Sequence, residues 1–151
     1  MIYYLAYGSN LNLVQMARRC PTAVAIGSTL LKDYQLVFQG VATIVPSPGS
    51  TVPVAIWKID EACEKALDRY EGFPHLYRKE YIDVSIADTS YHAMVYIMND
   101  APLSMPSLQY FRTIQRGYID LGLDRRYLQQ AVSYTMEHIA EKDGKGDEKY
   151  E

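Results

Sequence analysis

The chain has 151 residues, 48% of them hydrophobic and 22% charged, which is typical of one globular domain and not of a fibrous or disordered protein. The net charge is -3 at pH 7, and the basic residues are scattered apart from short pairs such as Arg18-Arg19 and Arg125-Arg126. These values argue against a nucleic-acid partner. No apolar run approaches the roughly 18 residues that a membrane-spanning helix requires.

Two cysteines, Cys20 and Cys63, stand far apart in the sequence. The N-terminal stretch lacks the basic flank and the length of a secretory signal. We therefore expect two reduced thiols in or near the core of a cytoplasmic protein, and no disulfide. The chain also has 14 tyrosines against 3 phenylalanines, a bias that fits either a polar aromatic pocket or half-buried strands.

The first third of the chain is predicted to consist mainly of strands. Residues 2–7 form an apolar and aromatic strand, and a short helix follows from Leu11 until Pro21 stops it. Residues 22–38 contain β-branched and apolar residues broken at Lys32-Asp33, which predicts two strands joined by a turn.

The middle of the chain is predicted to contain two more strands and a helix. The strands cover residues 41–45 and 52–59, on either side of the proline-rich break 46–49. The helix begins at Asp60, a good N-cap residue, and ends at Gly72.

The remaining elements are a hairpin and two helices. Strand composition over residues 80–86 and 91–98, with a polar turn between them, predicts the hairpin. Apolar spacing predicts helices over about 107–121 and 125–141. We therefore expect a single α+β domain over residues 1–141 and a polar, frayed tail over residues 142–151.

The segment Tyr7-Gly8-Ser9-Asn10 lies where the first strand passes into the first helix. Such a loop can direct consecutive backbone N–H groups toward an anion, and Gly8 allows a ligand or another backbone segment to approach closely. A helix N-cap with a tight turn explains the same residues, because Gly-Ser-Asn loops are common turn sequences. Taken alone, the segment leaves both interpretations open.

Glu71 stands at the predicted C-terminal end of a helix, where the helix dipole disfavours another negative charge. If Tyr70, Phe73 and Tyr77 form an aromatic pocket around it, loss of solvent would raise its pKa further. A carboxylate tuned in this way suits general acid–base catalysis near neutral pH. The alternative, which position alone favours, is a solvated glutamate at a helix end.

The sequence lacks the residue patterns that metal-dependent, nucleotide-dependent or nucleophilic catalysis would require. His75, His92 and His138 lie far apart and have no cysteine or histidine partner at a metal-ligand spacing. There is no Gly-rich nucleotide loop and no Gly-x-Ser-x-Gly elbow, and Cys20 lies at a helix end that gives a thiolate no help. We therefore expect no metal, no cofactor and no nucleophilic catalyst.

Several segments occur together in a characteristic order. Residues 3–11 carry the Tyr-Gly-Ser-Asn loop, residues 40–49 contain Ala-Thr-Ile and Ser-Pro-Gly, and residues 54–72 end in Leu-Asp-Arg-Tyr-Glu-Gly. Residues 96–98 and 106–110 follow. Over about residues 2–135 this pattern resembles the γ-glutamyl cyclotransferases, including the AIG2-like proteins, and the resemblance is far more specific than either motif alone.

The resemblance implies a small mixed β-barrel with flanking helices and a pocket at one barrel end. It also implies a reaction without a cofactor, in which the free α-amine of a γ-glutamyl compound attacks its own side-chain amide carbonyl. The products are 5-oxoproline and the released amine. By resemblance, Glu71 is the base and then the acid. The residues expected to hold the substrate are Tyr7, Gly8, Ser9, Asn10, Tyr77 and Tyr110.

The resemblance further implies a small γ-glutamyl substrate, no nucleic-acid or membrane partner, and a monomer or homodimer. After Glu71 the chain continues with Phe73-Pro74-His75-Leu76-Tyr77, which is similar to microbial and plant members and not to the longer animal ones. Because this loop should face the variable part of the substrate, the sequence leaves the identity of the leaving amine undecided. One alternative is an enzyme dedicated to a specialised γ-glutamyl amine, and another is a non-catalytic binding module that retains the pocket.

Overall fold

The computed structural model describes the backbone of residues 1–148 and the side chains of residues 1–139. Within this range it contains five strands and four α-helices. The strands are β1 (Ile2–Ala6), β2 (Val24–Phe38), β3 (Ala42–Ile59), β4 (Tyr77–Ile86) and β5 (Thr89–Met98). The helices are α1 (Leu13–Arg19), α2 (Glu61–Tyr70), α3 (Leu108–Leu121) and α4 (Arg126–Glu148), and a 3-10 turn over Ser9–Leu11 precedes α1.

All five strands belong to one mixed sheet in the order β2-β3-β1-β5-β4. The hairpins β2–β3 and β4–β5 are antiparallel, and β1 joins them by pairing antiparallel with β3 and parallel with β5. Helix α3 packs against the 3-10 turn and α4 packs against β2. The predicted α+β class with flanking helices is therefore confirmed.

The sheet curls without closing into the barrel that the resemblance implies. Its two outer strands approach each other, since a Cβ placed on Gly27 of β2 would lie 3.4 Å from Cδ1 of Ile86 in β4. Among the described residues, however, β2 and β4 form no ladder of paired residues. The contact between these strands is made by side chains, so the sheet keeps two edges.

Strands β2 and β3 are longer and less interrupted than predicted. The expected turn at Lys32-Asp33 is wrong, because β2 continues through it as a bulge in which Asp33 has φ of 66°. Residues 47–50 of β3 protrude opposite this bulge, and the Gly49 N–H donates to Oδ1 of Asp33 at 3.0 Å. The proline-rich segment is therefore a protrusion within one strand and not a break between two.

The ends of α2 agree with the predicted capping residues, and α3 has caps of the same kind. Asp60 caps α2 by accepting from the Cys63 N–H at 2.8 Å, and Gly72 after the helix has φ of +63°. Ser107 caps α3 in the same way, and Gly122 ends it with φ of +67°. These positive φ values lie in the left-handed region that glycine adopts without steric cost.

The last helix is longer than predicted. Helix α4 passes residue 141 and ends at Glu148. The rest of the predicted tail, residues 149–151, lies outside the described residues. The division into a domain over 1–141 and a tail over 142–151 stays a prediction. Among the described residues, none of the helices combines the length and the apolar composition that a membrane span requires.

The two cysteines are joined by a disulfide, so the prediction of reduced thiols is wrong. Cys20 ends α1 and Cys63 lies in the first turn of α2, and their Cα atoms are 5.0 Å apart. The antiparallel pairing of the start of β2 with the end of β3 brings these two helix ends together, whereas the sequence shows only a separation of 43 residues. The expected burial of both side chains is confirmed.

Candidate active site

A cavity of about 230 Å³ opens beside the C-terminal end of β1. All seven predicted site residues line it, although they come from the loop after β1, the end of α2, the start of β4 and α3. The complete lining is Tyr4, Leu5, Tyr7, Gly8, Ser9, Asn10, Arg19, Val41, Ala42, Tyr70, Glu71, Leu76, Tyr77, Tyr96 and Tyr110. The fold therefore brings the loop and the glutamate to one place.

The loop after β1 presents unpaired backbone N–H groups. Its carbonyl groups are used locally, because the Leu11 N–H donates to the Gly8 oxygen and the Asn12 N–H to the Ser9 oxygen, both at 3.0 Å. Among the described residues, the N–H groups of Gly8, Ser9 and Asn10 have no acceptor. A Cβ on Gly8 would lie 3.2 Å from Cβ of Ala42, so glycine also fits the close approach of β3.

The side chain of Asn10 is buried and is already hydrogen-bonded to other residues of the protein. It is 2% exposed, its Nδ2 donates to the Tyr4 hydroxyl at 2.9 Å, and its Oδ1 accepts from Nη1 of Arg19 at 2.9 Å. Nε2 of Gln15 donates to the same oxygen at 3.2 Å. The amide therefore connects α1 to β1, and its backbone N–H remains for a ligand.

Glu71 ends α2 and carries the carboxyl group of the site. Its backbone N–H donates to the Leu67 oxygen at 2.9 Å, which holds it in the helix end. Burial raises the pKa of Glu71 to about 7, and the positive charge of Arg19 acts in the opposite direction. Among the described residues, no hydrogen bond reaches the Glu71 carboxyl oxygens. An unpaired carboxyl with this pKa can accept and return a proton near neutral pH.

Two of the predicted tyrosines are held by the same residue of β3. The Tyr77 hydroxyl donates to the Ala42 oxygen at 2.7 Å, and the Tyr110 hydroxyl accepts from the Ala42 N–H at 3.0 Å. Burial raises the pKa of Tyr110 to about 12 and that of Tyr77 further, with smaller contributions from the charge of Glu71. Both phenols therefore keep their protons at neutral pH.

The loop after Glu71 forms part of the cavity wall. Leu76 and Tyr77 line the cavity, and Nδ2 of Asn99 donates to the oxygens of Pro74 and His75 at 2.9 and 3.0 Å. Phe73 lies outside the lining, where Nζ of Lys79 lies 4.3 Å from the centre of its ring. The loop over residues 73–77 was predicted to face the leaving amine. Its second half, Leu76 and Tyr77, borders the cavity.

Arg19 and Tyr4 also line the cavity, although neither was predicted as a site residue. Arg19 stacks on Tyr70, with Cζ 4.2 Å from the ring centre, and supplies the positive charge of the lining. Its spacing of four residues after Gln15 places both on one helix face, a signal that could have indicated a shared contact with Asn10. Tyr4 gave no such signal, because every residue of β1 is apolar or aromatic.

A larger cavity of about 440 Å³ lies between the start of α4 and strands β2 and β3. Its two charged residues, Asp124 and Arg126, pair with each other at 2.7 Å. This pairing keeps the pKa of Asp124 below its usual value, so its carboxylate stays ionised and is not suited to proton transfer near neutral pH. The smaller cavity, with Glu71, is therefore the candidate site.

Comparison with known proteins identifies the family. The family model described as "Gamma-glutamyl cyclotransferase, AIG2-like" matches residues 4–117, a range that includes the loop, Glu71 and Tyr110. The chain belongs to the γ-glutamyl cyclotransferase family. This match confirms the family and the class of enzyme that the sequence predicted, while the roles of the individual site residues stay predictions.

Individual members of the family extend the comparison. The proteins named γ-glutamylcyclotransferase from Mus musculus and Homo sapiens are each 31% identical, over 138 and 140 residues, covering 82% of this chain and 73% of theirs. A solved structure titled "Gamma-glutamyl cyclotransferase" has a TM-score of 0.78 and 28% identity, covering 86% of this chain and 85% of that one. YkqA from Bacillus subtilis, at 21% identity and TM-score 0.71, covers 89% of this chain and 54% of its own, and supports the fold alone.

Proposed function

We propose that this family member converts γ-glutamyl amino acids or amines to 5-oxoproline and the free amine, with Glu71 as general base and then general acid. The observation that carries the proposal is the Glu71 carboxyl, whose burial raises its pKa to about 7 in a cavity lined by unpaired backbone N–H groups. The relatives named γ-glutamylcyclotransferase support the same reaction class.

In the proposed reaction, the Glu71 carboxylate removes a proton from the α-ammonium group of the substrate. The freed nitrogen attacks the side-chain amide carbonyl, and a C–N bond forms that closes a five-membered ring. The C–N bond to the leaving amine then breaks. Two protons pass from the attacking nitrogen to the leaving nitrogen through Glu71, so the carboxylate ends the turnover as it began.

The rest of the site holds the substrate in its folded-back conformation. Because the attack is intramolecular, positioning the amine near the carbonyl supplies a large part of the rate enhancement. The N–H groups of Gly8, Ser9 and Asn10 are assigned to the substrate carboxylate or the developing oxyanion. Tyr77 and Tyr110 shape the pocket, and their raised pKa values keep them as neutral hydrogen-bonding groups.

The test is Glu71→Gln, assayed for 5-oxoproline release with a panel of γ-glutamyl amino acids and amines. Glutamine matches glutamate in size but cannot accept the ammonium proton, so we expect turnover to fall by about 10²–10⁴-fold. Binding of 5-oxoproline, measured by calorimetry, should persist, because the backbone N–H groups are unchanged.

Glu61→Gln is the matched control, since Glu61 is exposed in the first turn of the same helix and lies far from the cavity lining. Its turnover should equal that of the wild type. A Glu71→Gln protein that kept more than about a tenth of wild-type turnover would contradict the assigned role. A wild type that acted on no member of the panel would instead favour a binding module.

A further inference from the structure

Three of the tyrosines that line the cavity have committed their hydroxyl hydrogens to protein acceptors. The Tyr7 hydroxyl donates to the Tyr96 backbone oxygen at 2.6 Å, and Tyr77 donates to the Ala42 oxygen at 2.7 Å. Tyr96 donates to Oδ1 of Asp68 at 2.6 Å. Because carbonyl and carboxylate oxygens cannot donate, the direction of each of these bonds is fixed. None of the three hydrogens is free for a ligand.

Tyr4 differs from these three tyrosines because its hydroxyl group is the acceptor, and not the donor, in its hydrogen bond. A guanidinium has only donors, so the atom of Asn10 that faces Nη1 of Arg19 is the carbonyl oxygen Oδ1. The amide nitrogen then faces Tyr4 and donates to its hydroxyl oxygen at 2.9 Å. The single hydroxyl hydrogen of Tyr4 has no acceptor among the described residues. The side chain is only 4% exposed and it lines the cavity, so a bound ligand could accept this hydrogen bond.

We propose that Tyr4 is a catalytic hydrogen-bond donor, whose hydroxyl donates to the oxyanion that develops on the attacked carbonyl. This inference rests on the proposed cyclisation. Arg19 and Asn10 act as positioning residues, because they fix the direction in which the Tyr4 hydroxyl points. The donation is made without proton transfer, so it adds no step to the reaction and leaves its proton balance unchanged.

The chemistry of the phenol fits this assignment. Burial, and after it the charge of Glu71, raise the pKa of Tyr4 above its usual value, so the hydroxyl keeps its proton throughout the working pH range. A buried, prealigned donor stabilises charge that appears only in the transition state. Tyr110 also accepts rather than donates at Ala42, but its side chain is only partly buried. The Tyr4 side chain is 4% exposed and its hydroxyl is oriented by Asn10, so Tyr4 is the better shielded and better aligned donor.

The first test is Tyr4→Phe, with kcat and KM measured for a γ-glutamyl substrate that the wild type turns over. We expect kcat to fall by about 10²–10³-fold, the usual effect of removing one oxyanion donor, with KM nearly unchanged. Tyr3→Phe is the matched control, because Tyr3 lies next in β1, faces the other side of the sheet and bonds Met1. Its kcat should equal that of the wild type.

The second test reverses the hydrogen bond without removing the phenol. Asn10→Asp keeps an acceptor for Arg19 but introduces a carboxylate to which Tyr4 must donate, so its hydrogen is withdrawn from the substrate. At the plateau of the pH profile, we expect a loss similar to that of Tyr4→Phe. The double variant should be no slower than Asn10→Asp alone, because both changes remove the same interaction.

The outcomes separate this inference from the proposed function. If the wild type is active and a folded Tyr4→Phe protein keeps more than about a tenth of its kcat, the assignment of Tyr4 is wrong and the cyclisation stands. Additive losses in the double variant would also overturn it. If the wild type releases no 5-oxoproline from any substrate, the proposed function and the role of Tyr4 both fall.

Discussion

Glu71 and Arg19 face the same cavity, and their effects on the carboxyl oppose each other. Burial favours the neutral acid and raises the pKa of Glu71 to about 7, whereas the guanidinium favours the carboxylate. Burial is the larger influence. A base must be deprotonated before it can take the ammonium proton, so the acid limb of activity should follow the ionisation of Glu71.

Replacing Arg19 should therefore move the acid limb. Arg19→Gln removes the positive charge that lowers the pKa of Glu71, so the midpoint of the acid limb of kcat/KM should shift to higher pH. Arg19→Lys is the control, because it keeps the charge and should leave the midpoint near its wild-type position. A pH–rate profile of the three proteins gives the answer. An acid limb that stayed fixed or moved to lower pH in Arg19→Gln would show that another group controls it.

Local sequence made Glu71 and the Tyr7–Asn10 loop candidates, because one stands at a helix end and the other where a strand meets a helix. Position alone left a solvated glutamate and a simple turn as alternatives, and the family resemblance singled the two out. The structure places both at one cavity, while their chemical roles stay predictions. Tyr4 and Arg19 could not be found in this way. The roles proposed for them rest on hydrogen-bond directions through Asn10, which depend on the packing of α1 against β1.

Helix α3 supports the loop of the site through a contact that only glycine permits. A Cβ on Gly117 would lie 2.6 Å from the carbonyl carbon of Leu11 and 2.8 Å from the nitrogen of Asn12. Both atoms belong to the backbone that follows the Tyr7–Asn10 loop, so they cannot move away as a flexible side chain would. Nδ2 of Asn12 also donates to the Thr113 oxygen at 3.1 Å, which fastens the same two elements.

Gly117→Ala should lower both stability and turnover. Alanine normally favours a helix over glycine by roughly 0.5–1 kcal/mol, but overpacking against fixed atoms costs about 1–3 kcal/mol, so the clash should dominate. Arg116→Ala is the control, since the Arg116 side chain is exposed and its pair with Asp120 is a surface one. Urea unfolding and the 5-oxoproline assay measure the two effects. A Gly117→Ala protein as stable and active as the wild type would refute the close contact.

Helices were easier to predict than strands because their end signals are local. Asp60, Gly72 and Gly122 each act within a few residues of their own helix. The bulge at Asp33 depends instead on the partner strand, since the protrusion over residues 47–50 accommodates it. The link between Cys20 and Cys63 likewise depends on the pairing of β2 with β3.

At the scale of the whole molecule, the sheet places the site where several elements end together. The parallel pairing of β1 with β5 inside an otherwise antiparallel sheet puts β1 at the centre, so the loop that follows it is surrounded by β3, α2 and α3. Sequence patterns predicted the strands, but not that the outer strands would approach without pairing. That outcome depends on the curvature of the complete sheet, which no local pattern reports.

The buried carboxyl of Glu71 should also make the stability of the whole protein depend on pH. Its pKa is raised from an ordinary 4.5 to about 7 in the folded state. Such a group contributes stability that is fully present below about pH 4.5 and is lost as the pH rises through about 7. The loss amounts to about 3 kcal/mol at most, since each pKa unit corresponds to 1.36 kcal/mol. Removing the charge should therefore stabilise the enzyme at neutral and alkaline pH.

The measurement is urea unfolding of wild type and Glu71→Gln between pH 4.5 and pH 8.5. We expect Glu71→Gln to be the more stable protein above pH 7, with the difference shrinking as the pH falls toward 4.5, because the wild-type carboxyl becomes protonated. Asp60, at the other end of α2, should make stability depend on pH in the opposite direction. Its hydrogen bonds with Thr22 and the Cys63 N–H lower its pKa, so it contributes stability above about pH 4 that is lost on acidification. Asp60→Asn should therefore be less stable than the wild type at neutral pH. If the gap between Glu71→Gln and the wild type did not change with pH, the raised pKa of Glu71, and with it the basis for its proposed catalytic role, would be wrong.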